Sequence, residues 1–422
     1  MKKINKEVLV IGGGSAGMAA AAQISEKGHS VVIVERESTM GGILNQCIHN
    51  GFGLQRFKEE LTGPEYAEKY IDIINKLDIE QYTGTTVTDI EDKGDHKVVY
   101  AFSSKNGMLT IRVRAIVLAM GCRERNRGNI GTAGSRPSGI YTAGLAQRLV
   151  NIDGLMPGSK CVIVGSGDIG LIMARRMSWV GAKVSAVVEI QPYPAGLTRN
   201  IVQCLNDFNI PLYLSHVISK IYGKDRVEAV DITPLKNGME MTEETFRVEC
   251  DTLLLSVGLV PDNEVSQKAG VKINKETNGP VVDSRLMTSV DGIFASGNVL
   301  HVHDLVDFVS EESQRCGAYV CDYLDNREEE SQYTVCSGSN IKYVIPNKFT
   351  AGRDNKFYMR SMIVKNHAHL VLTLDGKEIM RKKQTHIQPS EMITYTLKKE
   401  DLPLEDLNGE SRLEISLVGQ GE

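Results

Sequence analysis

Three glycines and an acid open the chain: Gly12, Gly14 and Gly17 within Gly12-Gly13-Gly14-Ser15-Ala16-Gly17, then Glu35, 18 positions after the last glycine. These residue types at this spacing can hold a dinucleotide. Gly12 permits a tight turn, Gly14 lets a pyrophosphate approach the backbone, and Gly17 lets a helix pack closely on a strand. Free N–H groups at the helix N-terminus receive the phosphates, and Glu35 is placed to accept hydrogen bonds from a ribose diol. The constellation recurs as Gly165-Ser166-Gly167-Asp168-Ile169-Gly170, with Glu189 19 positions after its last glycine. Glu189 is followed by Ile190, Gln191 and Pro192, and no arginine appears before Arg199. A carboxylate there repels a 2′-phosphate with no cation close in sequence to bind one, so NADH is expected at this second site rather than NADPH.

The elements around these residues read as strand–turn–helix–strand. In the first unit an apolar run over 8–11 meets the glycines, an alanine-rich helix covers 18–26, and a second apolar run over 31–34 ends at Glu35. In the second unit the runs are 161–164 and 183–188. Repetition of the unit is the main organising fact of the chain. Between the two lie a glycine-rich stretch over 41–53, a helix over 64–77, and strands near 80–82, 86–90, 97–103 and 108–113 that form an antiparallel meander. An apolar strand over 115–119 ends at Gly121, and a connector rich in Gly and Arg follows. Beyond the second unit come a helix near 201–208, strands near 211–214, 217–222, 227–232 and 251–257, and a long helix over 304–324. Glu328-Glu329-Glu330-Ser331 reads as a linker. From 335 to 422 short β-type runs alternate with turn signals such as Asp375-Gly376 and Asn408-Gly409, as in a two-sheet sandwich without a catalytic cluster.

Charge and composition exclude several classes. In 422 residues, 48 Lys and Arg face 53 acidic residues, a net charge of -5 without like-charge blocks. Neither nucleic acid nor an anionic membrane surface is expected as partner. The basic start Met1-Lys2-Lys3-Ile4-Asn5-Lys6 runs straight into the glycine turn and reads as structure, not targeting. No apolar run reaches the ~18 residues a membrane span needs. Eight cysteines without C-x-x-C pairs fit a reducing cytoplasm, and argue against a disulfide framework or a zinc finger.

Both glycine turns, Ile116-Val117-Leu118-Ala119-Met120-Gly121, and Asp291-Gly292-Ile293-Phe294-Ala295-Ser296-Gly297-Asn298 resemble the pyridine nucleotide–disulfide oxidoreductase superfamily of two-dinucleotide-binding-domain flavoproteins, over about residues 7–324. The resemblance implies an α/β fold with two Rossmann-like domains: an FAD domain at 1–130 and 255–330, interrupted by an NAD domain at 131–254, with the β domain at 335–422 appended. It implies FAD contacts from Gly12, Gly14, Ser15, Ala16, Gly17, Glu35, Arg36, Gly42, Val87, Ala119, Gly121, Gly297 and Asn298. Asn298 stands where an aspartate is usual. The same resemblance implies NAD contacts from Gly165, Gly167, Asp168, Ile169, Gly170, Glu189 and Gly258, and a long helix whose N-terminus faces the flavin's pyrimidine edge. Longer motifs, Gly41-Gly42-Ile43-Leu44-Asn45-Gln46-Cys47-Ile48-His49 and Gly297-Asn298-Val299-Leu300-His301-Val302-His303 among them, resemble one subgroup. That subgroup contains the NADH-oxidising flavoprotein associated with bacterial glycerol-3-phosphate dehydrogenase and the flavin subunits of opine oxidase, hydrogen cyanide synthase and sarcosine oxidase.

Single residues leave alternatives open. Cys47 lies 12 positions beyond Glu35, where disulfide reductases carry a cysteine pair, but Gly42 stands where its partner is expected. A dithiol cycle within this segment is therefore excluded; Cys47 either forms a sulfenic acid or packs near the flavin. His49, His301 and His303 are candidates to tune the flavin or contact an acceptor, or are hydrogen-bonded structural residues. His386 and Glu391 faintly resemble an acid–base pair, and read better as surface residues of the β domain. Cys316 and Cys321 do not share a helix face, so metal ligation is not expected. The expected function is an FAD-dependent NADH:acceptor oxidoreductase: hydride passes from NADH to FAD N5, and electrons pass onward to a partner flavoprotein, oxygen or another acceptor. The alternatives are a non-catalytic or electron-transfer FAD component of a dehydrogenase complex, and a component of an amine or imino-acid dehydrogenase. The expected assembly is a homo-oligomer, or a complex with a partner dehydrogenase docked through the β domain.

Overall fold

The computed structural model describes residues 2–327, 330–403 and 407–419. In chain order the elements that matter here are β1 (Val8–Ile11), α1 (Ser15–Glu26), β2 (Val31–Val34), α2 (Gly63–Lys76), β3 (Glu80–Tyr82), β4 (Ala115–Leu118), α3 (Ala143–Asn151), β5 (Lys160–Val164), α4 (Asp168–Trp179), β6 (Lys183–Glu189), β7 (Thr252–Leu255), β8 (Ile293–Ala295) and α5 (Val306–Leu324). The C-terminal region adds β9 (Ile341–Ile345), β10 (Asn355–Ser361), β11 (Lys365–Leu374), β12 (Lys377–Ile387) and β13 (Met392–Leu397).

The chain divides into two units: Met1–Asn45, Asn50–Cys122 and Pro261–Glu422 form one, and Gln46–His49 and Arg123–Val260 the other. Expected boundaries at 130/131 and 254/255 thus fall inside the second unit. There the Arg125 N–H donates to the Gly258 carbonyl (2.9 Å), and the Gly144 N–H donates to Glu124 (2.7 Å), so both flanks are tied to it.

In the first unit a five-stranded parallel sheet has the order β8-β4-β1-β2-β3. Strands β1, β2, β4 and β8 are buried along their whole length, as expected of a parallel sheet covered on both faces. Small residues let α1 pack tightly: a Cβ on Gly317 of α5 would lie 2.7 Å from the Ala20 carbonyl oxygen. Helix α2 begins at a capping box in which the Thr62 N–H donates to Glu65 (2.7 Å). The meander forms from Thr85–Asp92, Lys97–Ser103 and Gly107–Val113, and Lys2–Asn5 joins it in parallel. The second unit repeats the plan with a parallel sheet in the order Ile140–Thr142, β7, β5, β6, Leu212–Leu214. The helix expected over 201–208 is an α-helix Thr198–Cys204 followed by a 3-10 turn Asn206–Phe208.

The C-terminal region is a sandwich of a five-stranded and a three-stranded sheet. It already begins with the strand Gln332–Ser337, ahead of the expected start at 335. Of the linker expected over 328–331, residues 328 and 329 lie outside the described residues. The three-stranded sheet, β9-β10-β13, has two buried faces. Phe357 and Met359 of β10 enter the sandwich core, whereas Tyr343 and Ile345 of β9 enter the core of the flavin-type sheet. The sandwich is therefore built into the first unit.

Candidate functional site

The two glycine turns repeat down to their close contacts. Gly12 (φ +110°) and Gly165 (φ +93°) hold backbone conformations that side chains rarely adopt. A Cβ on Gly12 would lie 2.4 Å from the Ala119 carbonyl oxygen, and one on Gly165 2.1 Å from that of Ser256. A Cβ on Gly17 would lie 1.8 Å from the Gly12 oxygen, and one on Gly170 2.6 Å from the Gly165 oxygen. The middle glycines differ from these. A Cβ on Gly14 would meet nothing within 4 Å, and one on Gly167 only Ser256 Oγ at 4.0 Å. Both turns keep open space where a pyrophosphate belongs, at helix N-termini that no side chain caps. Gly42 (φ +57°) extends the first cradle, its absent Cβ leaving 3.2 Å to Gly14 Cα.

The acids also match. Glu35 is 6% exposed; its carboxylate accepts the Gly13 N–H (2.6 Å) and the Glu37 N–H (2.7 Å). Glu189 is 4% exposed and accepts the Ser166 N–H (2.8 Å) and hydroxyl (2.7 Å) and the Gln191 N–H (2.9 Å). Each acid thus ties its strand end to its glycine turn, and carboxylate lone pairs remain for a ribose diol. These residues fit FAD at the first turn and a nicotinamide dinucleotide at the second.

The remaining expected residues fall as follows. Asn298 lies in the turn after β8. Its Oδ1 accepts the His303 N–H (3.0 Å), and its amide Nδ2 points to Cys122 Sγ (3.7 Å), so this side chain offers a ligand a donor where aspartate would offer only acceptors. Ser15 and Ala16 form the first turn of α1, and Ala119 follows β4. Gly121 (φ +72°) has open space where a Cβ would be. Val87 sits at a bulge in the meander. Arg36 is exposed and lies 3.7 Å from Asp262. In the second unit Asp168 Oδ1 accepts the Leu197 N–H (2.9 Å) and Asn200 Nδ2 (2.7 Å), which straps the 191–200 loop over the turn. Ile169 is in the first turn of α4, and Gly258 (φ +100°) follows β7.

Cys47 packs on α3. Its thiol is 3.8 Å from Gln147 Oε1, and the neighbouring Gln46 donates to Gly144 O (2.8 Å) and Gln147 (3.1 Å). Burial pushes the Cys47 thiol up to about 12, the opposite of what a reactive thiolate needs. All eight cysteines are free. His49, partly buried, is lowered to about 4 by burial and then by Arg175 and Arg199. His386 bonds Asn366 (2.7 Å) and Glu391 accepts from Gln388 (2.7 Å), so these two residues do not form a pair.

The sequence treated His301 and His303 one at a time and passed over Glu312. The structure joins all three in one wholly buried cluster. The signal was available: two histidines two positions apart in an extended loop project to one side, just ahead of the helix that carries the glutamate.

Residues 6–315 match the sequence pattern of the pyridine nucleotide-disulphide oxidoreductases. The chain belongs to that family. Members bind FAD and use NAD(P)H, so it is a flavin-dependent oxidoreductase. The NAD(P)H sulfur oxidoreductase (CoA-dependent) of Pyrococcus abyssi is 26% identical over 314 residues, 72% of this chain and 65% of the relative. An opine oxidase subunit of Agrobacterium tumefaciens is 23% identical over 312 residues, 69% of this chain and 61% of the relative. The chain thus spans less than two thirds of the length of these two relatives. Thioredoxin reductase of Ureaplasma parvum is 25% identical over 304 residues, 70% of this chain and 90% of the relative. Among solved structures, T. acidophilum thioredoxin reductase shares the fold with a TM-score of 0.63 at 22% identity, covering 77% of this chain and 99% of that one. Among the described residues no helix is long and apolar enough to cross a membrane.

Proposed function

We propose that this family member is an NADH:acceptor oxidoreductase that passes electrons to a partner flavoprotein, oxygen or another acceptor, with a glycerol-3-phosphate dehydrogenase as one candidate partner. Bound FAD supplies the hydride acceptor at N5 and a two-electron store for the onward acceptor. The chain's own residues bind and orient. The open Gly14 and Gly167 turns receive the pyrophosphates, and Glu35 and Glu189 receive the ribose diols. The carrying observation is the pair of turns, alike contact for contact, each with its middle glycine open. Glu189 supports NADH over NADPH, because its buried carboxylate stands where a 2′-phosphate would come. A dithiol relay at Cys47 is not part of the reading, since that thiol is buried beside Gln147 and has no cysteine partner. The free cysteines support a reducing cytoplasm. A partner dehydrogenase or a second copy is expected to dock on the outer sheet of the sandwich, whose strand β12 carries the exposed Lys377, Arg381, Lys382 and Lys383.

Anaerobic mixing with NADH tests the proposal. Rapid bleaching of the flavin supports it. A flavin that NADH leaves oxidised, but an amine or imino acid bleaches, supports the second reading, amine or imino-acid oxidation. The match to the opine oxidase flavoprotein is the observation that favours that reading.

A further inference from the structure

Glu312 lies in the second turn of α5 with its side chain wholly buried, as are those of His301 and His303. Burying a carboxylate costs several kcal/mol unless hydrogen bonds replace its water. Here three groups do. His301 Nε2 lies 2.8 Å from Oε2, His303 Nε2 lies 3.2 Å from Oε1, and the Gly297 N–H donates to Oε1 at 2.7 Å. Burial works against the charge, but the two imidazoles hold the Glu312 carboxyl well below its ordinary value. With each Nε2–H donating, the Nδ1 atoms, which have no hydrogen-bond partner, carry bare lone pairs rather than stranded protons.

What Glu312 holds is the turn that carries Asn298. Gly297 (φ +74°) sits against the first turn of α1, where a Cβ would come 2.8 Å from that of Ala16. The backbone N–H at this point therefore sets how Gly297 and Asn298 stand toward the open Gly14 turn. His303 joins the same arrangement twice, through its ring to Glu312 and through its own N–H to Asn298 Oδ1. The sandwich closes the cluster from the other side. The Tyr358 ring of β10 lies 5.3 Å from the His301 ring and 5.2 Å from the His303 ring. Arg360, also on β10, donates to the Val302 carbonyl (3.0 Å) and pairs with Asp304.

We propose that Glu312, seated by His301 and His303 and roofed by Tyr358, is a positioning residue for the flavin: it fixes the Gly297–Asn298 turn, and the sandwich thereby completes the flavin site. The proposal rests on FAD binding at the first turn. Two imidazoles and a carboxylate also have the composition of a metal site, but one hydrogen bond to each ring and one to a backbone N–H account for the charge without an ion.

The test is FAD titration of the apoprotein, with its melting temperature and metal content measured alongside. Glu312→Gln presents an amide N–H to one of three donors and loses at least one bond; it should weaken FAD at least about tenfold, as should Asn298→Ala. Because the glutamate acts through the turn, the double variant should be within about twofold of the weaker single variant. His303→Gln keeps a donor at similar reach and should bind within about threefold of wild type, whereas His303→Leu should behave like Glu312→Gln. If Glu312→Gln does not fold, the His303 pair decides. Additive losses, unchanged FAD affinity in folded Glu312→Gln, equal affinities for the two His303 variants, or a stoichiometric metal lost in Glu312→Gln would each overturn the proposal. Wild-type apoprotein that takes up no FAD would instead overturn the underlying flavin reading.

Discussion

At the scale of single residues, the glycines of one motif do different work, and substitutions should separate them. Gly14 has an ordinary φ of -77° and open space where a side chain would sit. Gly14→Val should therefore leave the apoprotein's melting temperature unchanged and weaken FAD by about a hundredfold or more, by filling the pyrophosphate's place. Gly17→Val drives a side chain into the Gly12 carbonyl, so melting temperature and flavin content should fall together. Calorimetry and FAD titration check both. Cys47→Ser keeps a donor for Gln147 and should leave flavin reduction by NADH within about tenfold, or ~1.4 kcal/mol of barrier; lost turnover together with a sulfenic acid in the wild type would reverse that view. His301 adds a pH dependence. Burial, then His303, lowers it from 6.5 to about 4. Between those values the unfolded chain binds a proton that the native state refuses, so stability falls as pH falls through this window, by about 2 kcal/mol from pH 7 to pH 5. His301→Gln should show a smaller drop in melting temperature over the same interval.

At the scale of elements, β6 delivers Glu189 to its turn as β2 delivers Glu35, and the nucleotide preference belongs to that strand end. Glu189→Ala should narrow the preference for NADH over NADPH, read as the ratio of kcat/KM values, and should raise KM for both because Ser166 and Gln191 lose their acceptor. A native preference for NADPH would contradict this account. The buried parallel strands were legible because both faces are apolar: Val8–Ile11 and Thr252–Leu255 read as strands from composition alone. Lys2–Asn5 was missed because only Ile4 is buried on an otherwise polar edge strand. Lys348–Thr350 was missed because three residues carry no period. The glycine turns and their acids were legible as spacing. The His301, His303 and Glu312 cluster was not, because it forms only when the loop folds back on α5 and a strand some fifty residues later covers it.

For the whole molecule, the sandwich changes meaning. From sequence it read as a detachable docking module, removable after Tyr333. In the structure Tyr343 and Ile345 belong to the core of the flavin half, Tyr358 stacks over the buried histidines, and Lys356 pairs with Glu311 of α5. A chain ending at Tyr333 would expose these apolar and buried polar surfaces together. It should aggregate or lose flavin, as measured by soluble yield and flavin content per chain. A truncated chain that stays soluble and yellow with an unchanged melting temperature would restore the docking reading. The intact protein should resist proteolysis in the sandwich better with FAD than without, because ligand binding to the folded state stabilises whatever is folded with it.

Strand β10 carries this dependence in its simplest form. Residues 357 and 359 point into the sandwich, and residues 356, 358 and 360 point to the flavin half. A saturation library across the strand, sorted once for protein abundance and once for colour, should therefore beat with a period of two. Odd positions should drop out of the first sort. Even positions should pass it more often and fail the second, leaving pale but abundant protein. Neighbouring residues in one short strand would then answer to different selections, and a lineage that lost its flavin would be free to change every second letter of this strand first.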